Sequence, residues 1–257
     1  MSECWALALG ASRGVGLALA RGLAGRGCSI VLSSRRPSLL EEARRSLLGA
    51  GAPRVVVAPG DLRVESSLRG VLEEALRASG GRLRAAVISY GNPACEPSTI
   101  GEAPWSCWVE AARLYLASTS LVLRFLGERS RGRVTVAAVT SFTVWEPHPP
   151  LVVADAVRAG LPAILQAAAR RWPGRVQTVL LVLGSFRTPG AEETVRLAHP
   201  GEELERAWRE RVEGLSPLGR AGRLEELERV GAMLLDLPEY VSYTPLRVDG
   251  ASGRCLC

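Results

Sequence analysis

The stretch Trp5-Ala6-Leu7-Ala8-Leu9-Gly10-Ala11-Ser12-Arg13-Gly14-Val15-Gly16 decides the fold. Its apolar start predicts a strand, and a helical pattern follows at Leu17, Ala20, Leu23 and Ala24. Three glycines spaced G-x-x-x-G-x-G join the two. At such a junction glycines let the backbone turn sharply and approach a pyrophosphate, whose charge faces the free N–H groups of the helix. Gly10, Ser12, Arg13, Gly14, Val15 and Gly16 are therefore candidate nucleotide-binding residues.

Outward from this loop, strand-like and helix-like runs alternate to the end of the chain. Strands are expected at about 5–9, 28–33, 54–58, 84–89, 132–139, 175–182 and 244–248, and helices at about 14–26, 38–49, 65–79, 105–129, 154–171, 201–213 and 224–236. Repeated strand–helix–strand units imply right-handed crossovers. The expected fold is α/β: a Rossmann-type, doubly wound, seven-stranded parallel sheet with helices on both faces. The whole chain, 1–257, reads as one dinucleotide-binding domain, with a substrate lid at about 184–216. Ligands of such sheets bind outside the carboxyl ends of the strands.

Composition narrows the function. An apolar fraction of 47% suits a sheet buried on both faces. The longest apolar runs, such as Val179 to Leu183, have strand length, so no membrane span is expected. The first residues carry no basic leader, and a cytoplasmic protein follows as the expectation. The net charge of +6 comes from 32 basic residues, all arginine. Most are interleaved with glutamates, as in Glu41, Glu42, Arg44 and Arg45, which reads as a solvated face and excludes a nucleic-acid stripe. One asparagine and two glutamines point to a heat-adapted source, while the absence of lysine points the other way. Six cysteines (4, 28, 95, 107, 255, 257) lack metal-ligand spacing, so no metal is expected, and free thiols are the default for a cytosolic chain.

Seven segments, in order, resemble the short-chain dehydrogenase/reductase family. The glycine loop is similar to its T-G-x-x-x-G-x-G, with Leu9 in the threonine's place. Gly60-Asp61-Leu62 resembles the pair after the third strand that contacts adenine, and Ile88-Ser89-Tyr90-Gly91-Asn92 occupies the place of its N-N-A-G turn. Val139-Thr140-Ser141 resembles the strand end bearing the catalytic serine. Leu183-Gly184-Ser185-Phe186-Arg187-Thr188 resembles the P-G-x-x-x-T segment at the nicotinamide end. Pro217 to Glu226, and Tyr240-Val241-Ser242 through Val248-Asp249-Gly250, are similar to its C-terminal signatures. The resemblance implies a homodimer or homotetramer and cofactor contacts from Asp61, Leu62, Gly91, Gly184 and Thr188. Val152, Val153, Leu161, Ile164 and Leu165 are expected in an interface or the core.

Two departures matter. The family places a tyrosine thirteen residues after the serine and a lysine four further on; here those positions hold Ala154 and Arg158. The family's asparagine on the preceding helix is also missing, and Tyr115 falls near its place. Hydride delivery to a carbonyl leaves an alkoxide that a positioned acid must protonate. Arg158 is permanently cationic and suits holding ribose hydroxyls or an oxyanion, not giving up a proton. Ser141, Arg158 and Tyr115 are the candidate catalytic residues. Tyr90 and His148 are weaker candidates, and Asp155 is expected to point elsewhere. Ala154 is expected to leave a void that admits a water or the Tyr115 ring, so Ala154→Tyr with Arg158→Lys is expected to raise carbonyl reduction.

The second strand ends Ser33-Ser34-Arg35-Arg36, without the acid that accepts a 2′-hydroxyl in an NAD site. Ser34 and Arg35, helped by Arg13, suit a 2′-phosphate, so NADP(H) is expected over NAD(H). Trp105, Trp108, Phe142 and Trp145 suggest an apolar pocket for a small-molecule substrate. Two functions stay open: an oxidoreductase of a small carbonyl or alcohol with an altered acid, and a catalytically silent NADP(H)-binding protein that serves as a sensor or oligomer partner.

Overall fold

Apolar residues alternate between two faces along each strand, and that alternation builds the molecule. In the computed structural model, which describes residues 3–254, β1 (Trp5–Leu9) sends Trp5, Leu7 and Leu9 into one core layer and Ala6 and Ala8 into the other. The remaining strands are β2 (Ser29–Ser33), β3 (Val55–Val57), β4 (Leu83–Ile88), β5 (Val134–Ser141), β6 (Val176–Leu183) and β7 (Tyr243–Val248). They form one seven-stranded sheet in the order β3-β2-β1-β4-β5-β6-β7, every pair parallel. The order reverses between β1 and β4, and a crevice opens at the carboxyl ends there.

Helices cover both faces. α1 (Gly14–Gly25), α2 (Pro37–Gly49) and α10 (Leu224–Met233) pack on the face that carries Ala6 and Ala8. α3 (Glu65–Ser79), α5 (Ser118–Arg129) and α7 (Leu161–Arg171) pack on the other. Small residues Ala6, Ala8, Ala85 and Ala137 let the first group sit close to the strands.

Three sequence expectations need refinement. The helix expected over 105–129 is α4 (Trp105–Ala111), a π-helical turn (Ala112–Ala117) and α5 in unbroken succession, so its side-chain phase shifts at the turn that carries Tyr115. The helix expected over 154–171 divides into α6 (Val152–Arg158) and α7 at Ala159-Gly160, since Pro162 in the first turn of α7 lacks an N–H. The connection after β6 holds two helices, α8 (Pro189–Ala198) and α9 (Leu204–Arg211), where one was expected. Thr188 starts α8 by accepting the Ala191 N–H at 3.1 Å, a cap that the proline and glycine content of this segment obscured.

The span 152–171 is the one described helical stretch long and apolar enough to cross a membrane by length and composition. Here Leu161, Leu165 and Ala168 pack into the core against α5 and the sheet. Val153, Leu161 and Leu165 are core residues, and Val152 and Ile164 are half-buried.

The expectation of free thiols is corrected for four cysteines. Cys4–Cys28 joins the residue before β1 to the residue before β2, and Cys95–Cys107 ties the loop after β4 to α4. Neighbouring parallel strands bring the first pair to a Cα separation of 4.5 Å, a closeness invisible over 24 residues of sequence. Cys255 and Cys257 lie outside the described residues.

Candidate active site

A cleft of about 980 Å³ runs along the carboxyl ends of the strands, from the β2 end to the loops after β5 and β6. Its floor is the glycine loop. Gly10 has φ +66°, and a Cβ there would lie 1.9 Å from the carbonyl oxygen of Ser89. Only a glycine lets β1 turn this tightly against β4. Gly14 faces Thr188 across the cleft, its Cβ position 3.3 Å from the threonine Cβ. Arg13 precedes α1 in extended conformation with no side-chain cap, so the first amides of this 12-residue helix keep their donors open. Gly10, Ser12, Arg13, Gly14 and Val15 line the cleft. Gly16 sits behind it, where a side chain would meet Gly10 O and Ser89 Cβ at 2.9 Å.

At the β2 end, Ser34 and Arg35 line the cleft beside Arg36. Arg35 is exposed, and neither it nor Arg13 forms an ion pair among the described residues. Leu62 and Asp61 form the opposite wall. Asp61 accepts both Nε–H and Nη2–H of Arg63, the latter at 2.7 Å, and its main-chain N–H donates to Ser67 Oγ. The Arg63 guanidinium holds the Asp61 carboxyl below its ordinary range.

At the far end, Ser141 closes β5 and lines the cleft, and its Oγ accepts the Thr143 N–H at 3.3 Å. Gly184 and Thr188 line the wall after β6, and Gly91 the wall after β4. The structure does not bring Arg158 or Tyr115 to this wall. The Arg158 guanidinium, with its side chain 12% exposed, donates to Asp155 Oδ1 at 2.7 Å and to Ala154 O at 3.2 Å. It lies over the Tyr115 ring, 5.6 Å from its centre. Tyr115 donates its hydroxyl to Gly91 O at 3.0 Å and is 1% exposed. Burial raises both the Tyr115 and the Tyr90 phenols well above the ordinary tyrosine range, and the Tyr90 hydroxyl is bonded to Thr119 Oγ1.

On α6, Ala154 is fully buried in one apolar cluster with Cys107, Ala111, Leu114 and Tyr115, the ring expected as one of its two possible neighbours. Asp155 does not line the cleft. It is buried and accepts Thr143 Oγ1–H at 2.5 Å, the His148 N–H at 3.0 Å and Arg158, which fastens the loop after Ser141 to α6. His148 is exposed at the cleft edge.

Sequence reasoning missed Glu96. It lines the cleft from the loop after β4 and is 9% exposed, and its Oε1 accepts the Ala154 N–H at 2.7 Å. A lone acid between Cys95 and Pro97 carries no periodicity that marks it. The apolar lining also differs from expectation. Phe142 is at the cleft, but Trp105 is 83% exposed and Trp208 of α9 lines the wall instead.

A short-chain dehydrogenase family model, described as enoyl-(acyl carrier protein) reductase, matches residues 10–251. The chain belongs to the short-chain dehydrogenase/reductase family. Among curated relatives of this short-chain dehydrogenase/reductase is a probable 2,4-dienoyl-CoA reductase of Bacillus subtilis (strain 168). It is 25% identical over 248 residues, covering 94% of this chain and 93% of the relative. A peroxisomal 2,4-dienoyl-CoA reductase of Rattus norvegicus is 26% identical, covering 96% and 82%. Among solved structures, L-sorbose reductase of Gluconobacter frateurii, complexed with NADPH and L-sorbose, superposes with a TM-score of 0.89 at 24% identity, over 99% of this chain and 98% of that one. At that identity the structural likeness speaks to the fold. This short-chain dehydrogenase/reductase is thus an oxidoreductase by family, with alanine and arginine where the resemblance calls for tyrosine and lysine.

Proposed function

We propose that this protein is an NADP(H)-dependent oxidoreductase of a small carbonyl or alcohol. One observation carries the reading: a single cleft holds Arg13 after β1 and Arg35 after β2, which form no ion pair among the described residues, and Ser141 at its other end. The residues fit a dinucleotide. Gly10 lets the loop turn tightly beneath the cleft, the open amides of α1 can donate to a pyrophosphate, and Leu62 with Asp61 walls the adenine end. Ser34 and Arg35, with no acid at the β2 end, suit a 2′-phosphate through charge-assisted bonds. Gly91, Gly184 and Thr188 border the nicotinamide end.

Bound NADP(H) supplies or accepts a hydride at the substrate carbon. Ser141 Oγ–H donates to the substrate oxygen and orients it. Phe142, Leu151, Leu197 and Trp208 give the substrate end an apolar wall that excludes water. Arg158 acts on the site through Asp155 and Thr143, holding the Ser141 loop. The segment 184–216 serves as the lid, since α8 and α9 form a small unit of their own around Val195, Ala207 and Trp208. The buried Ala154 and the engaged Arg158 favour the second reading, a silent NADP(H)-binding protein.

The chain acts as a homodimer or homotetramer in the cytoplasm, where intracellular disulfides are a trait of heat-adapted organisms. Titrating the purified protein with NADPH and NADH, then assaying aldehydes, ketones and diketones, tests both readings. NADPH oxidation with any carbonyl supports the oxidoreductase. Tight NADPH binding without turnover supports the silent protein. Equal affinity for the two dinucleotides removes the NADP(H) assignment.

A further inference from the structure

The cleft takes up the carboxyl edge of the sheet, and the amino edge opposite carries a charge that the reading above does not use. Arg54 stands just before β3, Arg82 just before β4, Arg133 just before β5 and Arg175 just before β6. Arg84 is the second residue of β4, and Arg131 lies in the bend that leads into β5. The strand order sets these arginines along one side of the sheet. Val134 pairs with Val176, so Arg133 and Arg175 sit level on neighbouring strands. Ala85 pairs with Thr135, which places Arg84 one residue further along on the next strand. Hydrogen bonds tie the connections together: the Arg131 N–H donates to Gly81 O at 2.6 Å, and Arg175 Nη2–H donates to Ser130 O at 2.9 Å.

Five of the six side chains are exposed, and Arg133 is half-buried. None forms an ion pair among the described residues, whereas Arg26, Arg77 and Arg129 towards the same end hold Asp236, Glu74 and Glu73. The acids left over there are Glu3, Glu128 and Glu239, fewer than the arginines. Like charges on adjacent strands repel, a cost that a bound anion relieves. The groups present define that anion. A guanidinium fork matches phosphate through two parallel hydrogen bonds. Strands spaced about 4.8 Å apart set Arg54 and Arg175 roughly 24 Å from each other, room for several phosphates of a duplex. Trp5, Leu83, Val134 and Val176, which flank the arginines, are buried. Between the guanidiniums they offer neither a ring for bases to stack on nor an apolar wedge for a membrane.

We propose that this amino edge binds the phosphate backbone of duplex nucleic acid without regard to sequence, on the side of the sheet away from the dinucleotide cleft. The contacts are charge-assisted hydrogen bonds to phosphate oxygens, which position a duplex and carry no base information. The surface does not depend on the oxidoreductase reading, and the cleft stays open while the edge is occupied. The alternation with glutamates that argues against nucleic acid holds along helices such as α2. It does not reach this edge, where tertiary packing gathers arginines from separate segments.

Fluorescence anisotropy of the full chain with a labelled, mixed-sequence DNA duplex of about 20 base pairs tests this. The wild-type Kd should lie at about 1–10 μM in about 50 mM salt, and the logarithm of the affinity should fall against that of salt with a slope of about −4 to −5. A second duplex of unrelated sequence should bind within twofold. The triple variant Arg82→Gln, Arg84→Gln and Arg131→Gln, all at exposed positions, should weaken binding at least tenfold and reduce the slope by about 3. Its thermal melt should match or exceed that of wild type, because a repulsion has been removed. A triple variant that binds the duplex like wild type overturns the proposal and assigns the duplex to the arginines of the cleft. Absence of binding in about 50 mM salt overturns it as well. Displacement of the duplex by poly-glutamate at equal charge concentration would assign the edge to an acidic protein instead, and tighter binding to phosphatidylglycerol vesicles would assign it to a membrane. Neither outcome is expected.

Discussion

Arg158 Nη2 donates to Asp155 Oδ1 at 2.7 Å, and this ion pair lies inside the protein, with the aspartate side chain fully covered. Asp155 also holds Thr143 and the His148 N–H, so one carboxylate links α6 to the segment that follows Ser141. Breaking one partner of such a pair leaves a buried charge without compensation. Asp155→Ala should therefore lower stability by about 3–5 kcal/mol, read from urea unfolding. In a double-mutant cycle with Arg158→Leu, the coupling should exceed about 1 kcal/mol. Additive losses would show that the two side chains act independently.

On the proposed reading, Arg35 should set the preference between dinucleotides. It is exposed at the β2 end beside Ser34 and forms no ion pair with another described residue, so its guanidinium is available to a phosphate. Arg35→Ala should weaken NADPH binding by about 10- to 100-fold, the worth of charge-assisted hydrogen bonds, and leave NADH within a factor of two. Fluorescence titration of both dinucleotides reads the difference. An equal loss for the two would detach Arg35 from the 2′-phosphate.

Ser141 should matter for turnover and little for cofactor affinity. Ser141→Ala removes the hydroxyl proposed to orient the substrate oxygen, and kcat should drop by about 100-fold or more while the NADPH Kd stays within twofold. Stopped-flow and equilibrium titration separate the two quantities. A matched loss in both would mean that the serine acts on cofactor binding.

Restoring the family pair should fail. Position 154 is fully buried among Cys107, Ala111, Leu114 and Tyr115, so a phenol placed there has no room. Ala154→Tyr with Arg158→Lys should cost about 1–3 kcal/mol from overpacking alone, with further loss at the Asp155 pair. A thermal melt equal to wild type would show that the cluster accommodates the ring.

Glu226 should make stability depend on acid. It accepts the Arg223 N–H at the start of α10 and both Nη groups of Arg220. The Arg220 guanidinium holds its carboxyl at about 2, below the ordinary 4.5. The ionised form is the stabilising one, so the contribution is complete above pH 4.5 and is lost as pH falls through 2. The pair is partly exposed, and solvent screening limits the effect to about 1 kcal/mol. Glu226→Gln should be destabilised by that amount at pH 7 and match wild type near pH 2, by chemical denaturation at both pH values.

The amino-acid sequence by itself determined the sheet. Two-residue alternation in Trp5–Leu9 and continuous apolar runs such as Val179–Leu183 are local signals, since a strand's faces are set by its own period. The glycine loop was equally legible, because Gly10 and Gly14 answer to backbone geometry within a few residues. Ser34, Arg35, Asp61 and Ser141 lie at or just beyond strand ends on the carboxyl edge of the sheet and line the cleft there. Only the tertiary structure decided what surrounds position 154. Arg158 and Tyr115 were drawn from helix register, yet a π turn and the buried Asp155 turn both side chains into the protein. Glu96 and Ala154 meet across 58 positions of sequence. The pairing of Cys95 with Cys107 and of Ser98 with Pro150 brings that loop to α6. Such contacts follow from the packing of distant segments, and packing leaves no period in the chain.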